Sequence, residues 1–126
     1  MKHDIFVVHI VDPDAAIADG LATLLSTYGI PVESYPDAET FLGSWSPASP
    51  AKGCLLVEAD LPRVSGPALL AKLSGDAPGL PVLLMVSTSS PELIAAARSS
   101  DRVRVIEKPC VDDTLVTAIL ALRNHP

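Results

Sequence analysis

Cysteine is scarce in this chain: Cys54 and Cys110 are the only two in 126 residues, and their separation matches neither a zinc-binding nor a redox spacing. A disulfide framework is therefore not expected, and a reducing, cytoplasmic setting fits better. An excess of basic residues is missing as well. Nine Lys and Arg face fifteen Asp and Glu, giving a formal net charge of −6 and a pI near 4.8. A chain that repels phosphate backbones overall is a poor direct binder of nucleic acid. Long apolar runs are lacking too. Segments 5–11, 81–86 and 115–122 all fall short of the ~20 residues needed to cross a bilayer, so no membrane span is expected. The opening Met-Lys-His-Asp leads straight into a strand-like run and does not read as a signal peptide. Internal repeats and low-complexity tracts are absent. What the chain does have is apolar character: 48% of residues and a mean hydropathy of +0.37 allow a full core and exclude disorder. The length suits one domain over 1–126.

Short apolar runs alternate with helical patterns five times. Residues 5–11 are β-branched and almost continuously apolar, as in a strand buried on both faces. Asp12-Pro13 then suits a helix start, with Asp at the N-cap and Pro at the first helical position. Ile17, Leu21, Leu24, Leu25 and Tyr28 recur at helical spacing, and Gly29 closes the helix. Residues 31–35 alternate like an edge strand, and Asp37 caps a short helix to residue 45 that turns Phe41 and Leu42 inward. Segment 44–53, with Pro47, Pro50 and several serines, reads as a surface loop. Residues 54–57 form a third strand ending at Glu58. A loop over 60–66 follows, then a helix from Pro67 carrying Leu69, Leu70 and Leu73. Residues 81–86 make the fourth strand, and Pro91 opens the fourth helix. Residues 103–106 make the fifth strand, and a last helix runs from Asp112-Asp113 to about Arg123, its carboxylates favourably placed at the positive N-terminus. Five βα units indicate an α/β fold with an open parallel sheet and helices on both faces. Ligands of such folds sit beyond the carboxyl ends of the strands.

The polar groups expected there are Asp12 and Asp14 after strand one, Glu58 and Asp60 after strand three, and Lys108 after strand five. Carboxylates facing a lysine suit a hard divalent cation and a phosphoryl group. A carboxylate such as Glu58, following a central apolar strand, needs a partner, and Lys108 is the expected one. His9 stands alone in an apolar strand without ligand spacing. Cys54 reads as a small buried hydrophobe. Tyr35, Phe41 and Trp45 read as anchors of the second helix.

Asp12 after strand one, Glu58-x-x-x-Pro62 with Ser65-Gly66 after strand three, and Glu107-Lys108-Pro109 after strand five resemble the receiver domain of two-component response regulators, particularly the nitrogen-fixation type. The resemblance implies a flavodoxin-like doubly wound sheet of five strands in the order 2-1-3-4-5 with five helices. It also implies an acidic pocket for Mg²⁺ and an aspartate that accepts a phosphoryl group from a histidine kinase. Residue by residue the sequence departs from that pattern. Asp12 matches the first carboxylate of the acidic pair, but the second falls on Pro13, with Asp14 as a possible substitute. The phosphoaccepting aspartate falls on Glu58. The hydroxyl residue that grips the phosphoryl group falls on Val86, with Ser87 adjacent, and the aromatic switch residue falls on Val105. Lys108 is retained, and Asp60 would supply the metal site's backbone carbonyl.

A glutamate at 58 is one methylene longer than aspartate and can reach Lys108 without any phosphorylation. Valines at 86 and 105 offer neither a hydroxyl nor a ring. Loss of the carboxylate at 13 weakens a Mg²⁺ site that depends on ligand charge. The expectation is a non-enzymatic pseudo-receiver, needing no cofactor and binding Mg²⁺ weakly at best, that acts by protein contacts. Its partners would be a histidine kinase, an output domain or a second copy. By the family's pattern the contact face is the fourth helix, fifth strand and fifth helix: Leu93, Ile94, Arg98, Arg102, Arg104, Val116 and Leu120. The final helix carries apolar residues around more of its circumference than one buried stripe requires. Two alternatives stand beside this reading. One is a working receiver phosphorylated at Glu58 or Asp60. The other is a haloacid-dehalogenase-like phosphatase using Asp12 and Asp14, with Ser87 and Lys108 as its next motifs.

Overall fold

β-Branched and aliphatic residues build the centre of the molecule. The computed structural model describes residues 6–44, 53–59, 68–69, 80–86, 103–107 and 114–124. Strands β1 (Val7–Val11), β2 (Val32–Tyr35), β3 (Gly53–Glu58), β4 (Val82–Val86) and β5 (Val103–Glu107) form one parallel sheet in the order β2-β1-β3-β4-β5. β3 and β4 are buried at every position, which explains their unbroken apolar sequences. β2 lies at an edge and exposes its two central residues. Helices α1 (Ala15–Ser26), α2 (Ala38–Ser44) and α3 (Thr114–Asn124) complete the described elements. Of the other two helices expected, the one from Pro67 is described only at Ala68 and Leu69, which are helical. The one from Pro91 lies outside the described residues.

The sheet separates two apolar clusters. On one face Val8, Ile10, Cys54, Leu56, Leu83, Met85 and Ile106 pack with Ala18 and Leu25 of α1 and Leu115, Val116, Ala118 and Ile119 of α3. On the other, Val11, Leu55, Val57, Leu84 and Val86 pack with Ala38 and Phe41 of α2 and with Leu69. Among the described residues, no helix is long and apolar enough to cross a membrane.

Three sequence expectations change. The N-cap of α1 is Asp14, not Asp12: its backbone is extended and its Oδ1 accepts from the N–H groups of Ala16 and Ile17 at 3.0 and 3.3 Å. Pro13 therefore precedes the cap rather than opening the helix. Secondly, α1 buries only Ala18 and Leu25 fully, with Leu21 packed partly against the core, while Ile17, Leu24 and Tyr28 are exposed. A helix meets a flat sheet along a narrow line, here the i, i+3, i+7 row of 18, 21 and 25. Thirdly, Val116 is only 5% exposed and belongs to the core, so it cannot be part of a partner surface. Leu115 and Ile119 are buried beside it, and Leu120 and Leu122 pack against the same cluster. The breadth of the apolar stripe on this helix is thus used largely in the core.

Two glycines meet backbone demands. Gly29 has φ +73° and donates to the Ser26 carbonyl at 3.0 Å as the chain leaves α1, a left-handed turn that costs other residues strain. Gly53 has φ +134°, and a Cβ there would lie 1.8 Å from the Val7 carbonyl oxygen. Only glycine lets β3 begin against β1 at this point.

Candidate functional site at the carboxyl ends of the strands

The register of the sheet decides which polar groups meet. Val11 of β1 pairs with Val57 of β3, so the next residues, Asp12 and Glu58, emerge side by side from neighbouring parallel strands. Both are buried, at 4% and 6% exposure. Backbone bonds hold their positions: the Asp12 N–H donates to the Tyr35 carbonyl at 3.1 Å, and the Ala59 N–H donates to Met85 at 2.9 Å. Asp12 also organises its own loop, its Oδ1 accepting from the Asp14 N–H at 2.9 Å across Pro13. This Asx turn is what Asp-Pro promotes, since proline fixes φ at the turn's second position. A carboxylate pair therefore sits where open α/β sheets bind their ligands.

The neighbouring positions are apolar. Val86, the last residue of β4, is buried in the cluster with Val11, Val57 and Leu84, and Val105 of β5 packs partly against the same cluster. Neither side chain can donate a hydrogen bond. Asp14, the possible substitute for a carboxylate at 13, is committed to capping α1 through Oδ1, and Pro13 is exposed. Arg104 is exposed on the edge strand β5, as the partner-surface expectation requires, and Leu120 is half-buried. Asp60, Ser87, Leu93, Ile94, Arg98, Arg102, Lys108 and Cys110 lie outside the described residues. Cys54 is buried, and burial pushes its thiol up to about 12, which leaves it protonated and unreactive.

Sequence reasoning missed one cluster. His9, 6% exposed on β1, lies opposite Glu33 of β2 and between the rings of Tyr35 and Phe41, at centroid distances of 6.3 and 5.9 Å. The aromatic–acidic alternation of 33–35 hinted at it, but only the β1–β2 register places Glu33 beside the histidine. Tyr35 and Phe41 meet edge-on at 5.3 Å, so this pair does anchor α2.

The model of the "Response regulator receiver domain" family matches residues 8–120. The chain belongs to that family. It is 29% identical over 114 residues to the transcriptional regulatory protein FixJ of Azorhizobium caulinodans, covering 90% of this chain and 53% of the relative. It is 30% identical over 112 residues to FixJ of Bradyrhizobium diazoefficiens, covering 89% and 54% respectively. The chain thus spans about half the length of the curated relatives it matches. Among solved structures, the FixJ-N crystal structure superposes with a TM-score of 0.82 at 28% identity, covering 96% of this chain and 95% of the other. The response regulator StyR superposes at 0.81 and 28% identity, over 94% of this chain and 59% of that one. The receiver domain is the signal-receiving part of two-component regulators, and the sheet order agrees with it. Family membership sets aside the phosphatase alternative.

The family implies Mg²⁺ at this pocket. Among the described residues, no group of three His, Cys, Asp or Glu is placed to hold a metal ion. Asp12 and Glu58 provide two carboxylates, Pro13 provides none, and one oxygen of the Asp14 carboxylate is engaged in capping α1. The described residues do not by themselves make up the family's metal site.

Proposed function

We propose that this receiver domain relays its signal through protein contacts without depending on aspartyl phosphorylation. The observation that carries the reading is Glu58: it is buried beside Asp12 at the end of β3, at the position matching the family's phosphoacceptor. Its longer side chain stands where a phosphorylated aspartate would project, and it meets Lys108 permanently. Val86 supports the same reading, since a buried valine cannot hold a phosphoryl oxygen in place. With Pro13 in place of a carboxylate, Mg²⁺ binds weakly and is not required.

The rest of the expected contact face, exposed Arg104 and half-buried Leu120 together with Leu93, Ile94, Arg98 and Arg102 of the sequence, serves the partner. That partner is a histidine kinase, an output domain or a second copy of the chain, met in the cytoplasm. Support comes from the relatives, which are named as transcriptional regulatory proteins and are about twice as long as the matched segment. Intact-mass spectrometry after incubation with acetyl phosphate and Mg²⁺ tests the proposal. The expected result is no stable phosphoryl adduct. An adduct mapped to Glu58 or Asp60 would show a working receiver instead.

A further inference from the structure

His9 occupies an unusual position for a titratable group. Both ring nitrogens are buried, and among the described residues neither has a hydrogen-bond partner. An imidazole always carries at least one N–H, so an unmet donor is enclosed here, at a cost of about 1–3 kcal/mol. The nearest acceptor is Oε2 of Glu33, 3.9 Å from Nδ1, too far for a hydrogen bond. That same Oε2 accepts the Tyr35 hydroxyl at 2.9 Å. The Tyr35 ring in turn meets Phe41 of α2 edge-on at 5.3 Å, while the Ser44 hydroxyl at the end of α2 donates to the Phe41 carbonyl at 2.8 Å. One carboxylate oxygen therefore stands between a buried histidine on β1 and the hydroxyl of the tyrosine whose ring packs β2 against α2.

The surroundings restrict what His9 can respond to. From β2 it faces Glu33 and Tyr35, and from α2 the uncharged ring of Phe41. From β3 its register partner is Leu55. Asp37 is turned to the α2 N-terminus, where its Oδ1 accepts from the Thr40 N–H and hydroxyl, both at 2.7 Å. Glu33, largely exposed on the edge strand β2, is the carboxylate that faces the His9 ring.

We propose that His9, Glu33 and Tyr35 form an acid-operated latch on α2. Protonation gives His9 a second donor and a positive charge, which draws Glu33 Oε2 from the Tyr35 hydroxyl to Nδ1. The hydroxyl loses its β2 acceptor, and the Tyr35 ring is released from its fixed position against Phe41 of α2. Burial holds the His9 imidazole below its ordinary 6.5, opposed in part by Glu33, so the latch is closed at neutral pH. Because the folded-state value is depressed, the unfolded chain takes up the proton first. Stability contributed by neutral His9 is complete above 6.5 and declines as pH falls below it.

Proton and nitrogen NMR titration of the whole chain tests the latch, with His3→Asn and His125→Asn removing the other imidazole signals. The expected result is a His9 midpoint below 6.5, shared by shifts in Tyr35 and in the amides of α2. His9→Phe, which keeps an aromatic ring, should abolish the α2 response. Glu33→Gln should lower the His9 midpoint further and uncouple α2 from it. Should His9→Phe not fold, Glu33→Gln decides alone, because it changes only an exposed edge-strand side chain. An α2 that does not move through the His9 midpoint, or that moves equally in Glu33→Gln, would overturn the proposal.

Discussion

Lys108→Met isolates the work that Glu58 does. Asp12 and Glu58, both less than a tenth exposed, leave adjacent strands at the same level. Neighbouring parallel strands are about 4.8 Å apart. At that separation and an effective dielectric of 20, two carboxylates repel by about 3.5 kcal/mol. Glu58 is level with Met85 on β4, and Met85 is level with Ile106 on β5. Lys108 follows Ile106 by two residues in the sequence, and the variant tests whether it reaches Glu58. On the proposed pairing, removing the lysine leaves Glu58 without that counter-charge, and the expected destabilisation is about 3–5 kcal/mol.

Glu58→Gln should cost much less, since the amide still accepts a hydrogen bond and its neutrality relieves the repulsion from Asp12. In the Glu58→Gln background, Lys108→Met should cost only about 1 kcal/mol, the lower end for losing a charged partner of a neutral group. Urea denaturation of the wild type, both single variants and the double variant yields the coupling directly. A coupling of about 2–4 kcal/mol supports a permanent contact. A coupling near zero shows that Glu58 and Lys108 do not meet, and the idea of a glutamate imitating the phosphorylated state fails with it.

Pro13→Asp should tighten Mg²⁺ binding measured by calorimetry, because it returns a carboxylate beside Asp12 at an exposed position. Unchanged affinity would mean that the metal site is assembled differently. Asp14→Ala should lower stability by about 1 kcal/mol, the usual value of an N-cap, and leave Mg²⁺ affinity unaltered. Loss of metal binding in this variant would show that Asp14 is a ligand as well as a cap.

The two-sided core was legible because β3 and β4 carry unbroken apolar runs, which only a central strand can bury, whereas the strand order followed from the resemblance to receiver domains. The site was legible for a related reason. Asp12 and Glu58 each end such a run, and in a parallel sheet all run ends lie on one edge. What sequence could not resolve was competition between equivalent signals. Asp12 and Asp14 both suit an N-cap, and the choice turned on Asp12 forming an Asx turn around Pro13, which leaves Asp14 to receive the helix N–H groups. Ile17, Leu24 and Leu25 share helical spacing, yet only Leu25 lies on the line that touches the sheet. Val116 followed the family's contact surface, but tertiary packing turned it into the core. The His9 cluster depends on the register between β1 and β2, a long-range property that no local pattern carries.

The departures from the receiver pattern share a physical direction. A hydroxyl at position 86 would be buried, and without a phosphoryl oxygen to bind it would need another partner or carry a desolvation cost. Valine removes that cost and joins the apolar cluster of Val11, Val57 and Leu84. Val105 likewise packs against that cluster, where a ring that changes orientation would require two packings of the same space. At position 13 a third carboxylate would add to the repulsion between Asp12 and Glu58, and proline removes it while favouring the turn that Asp12 closes. On the proposed reading, each change favours one fixed state over responsiveness, the exchange expected when stability at a site no longer competes with function there. A glutamate at 58 fits the proposed reading: its carboxylate reaches one methylene further into the pocket than an aspartate's would.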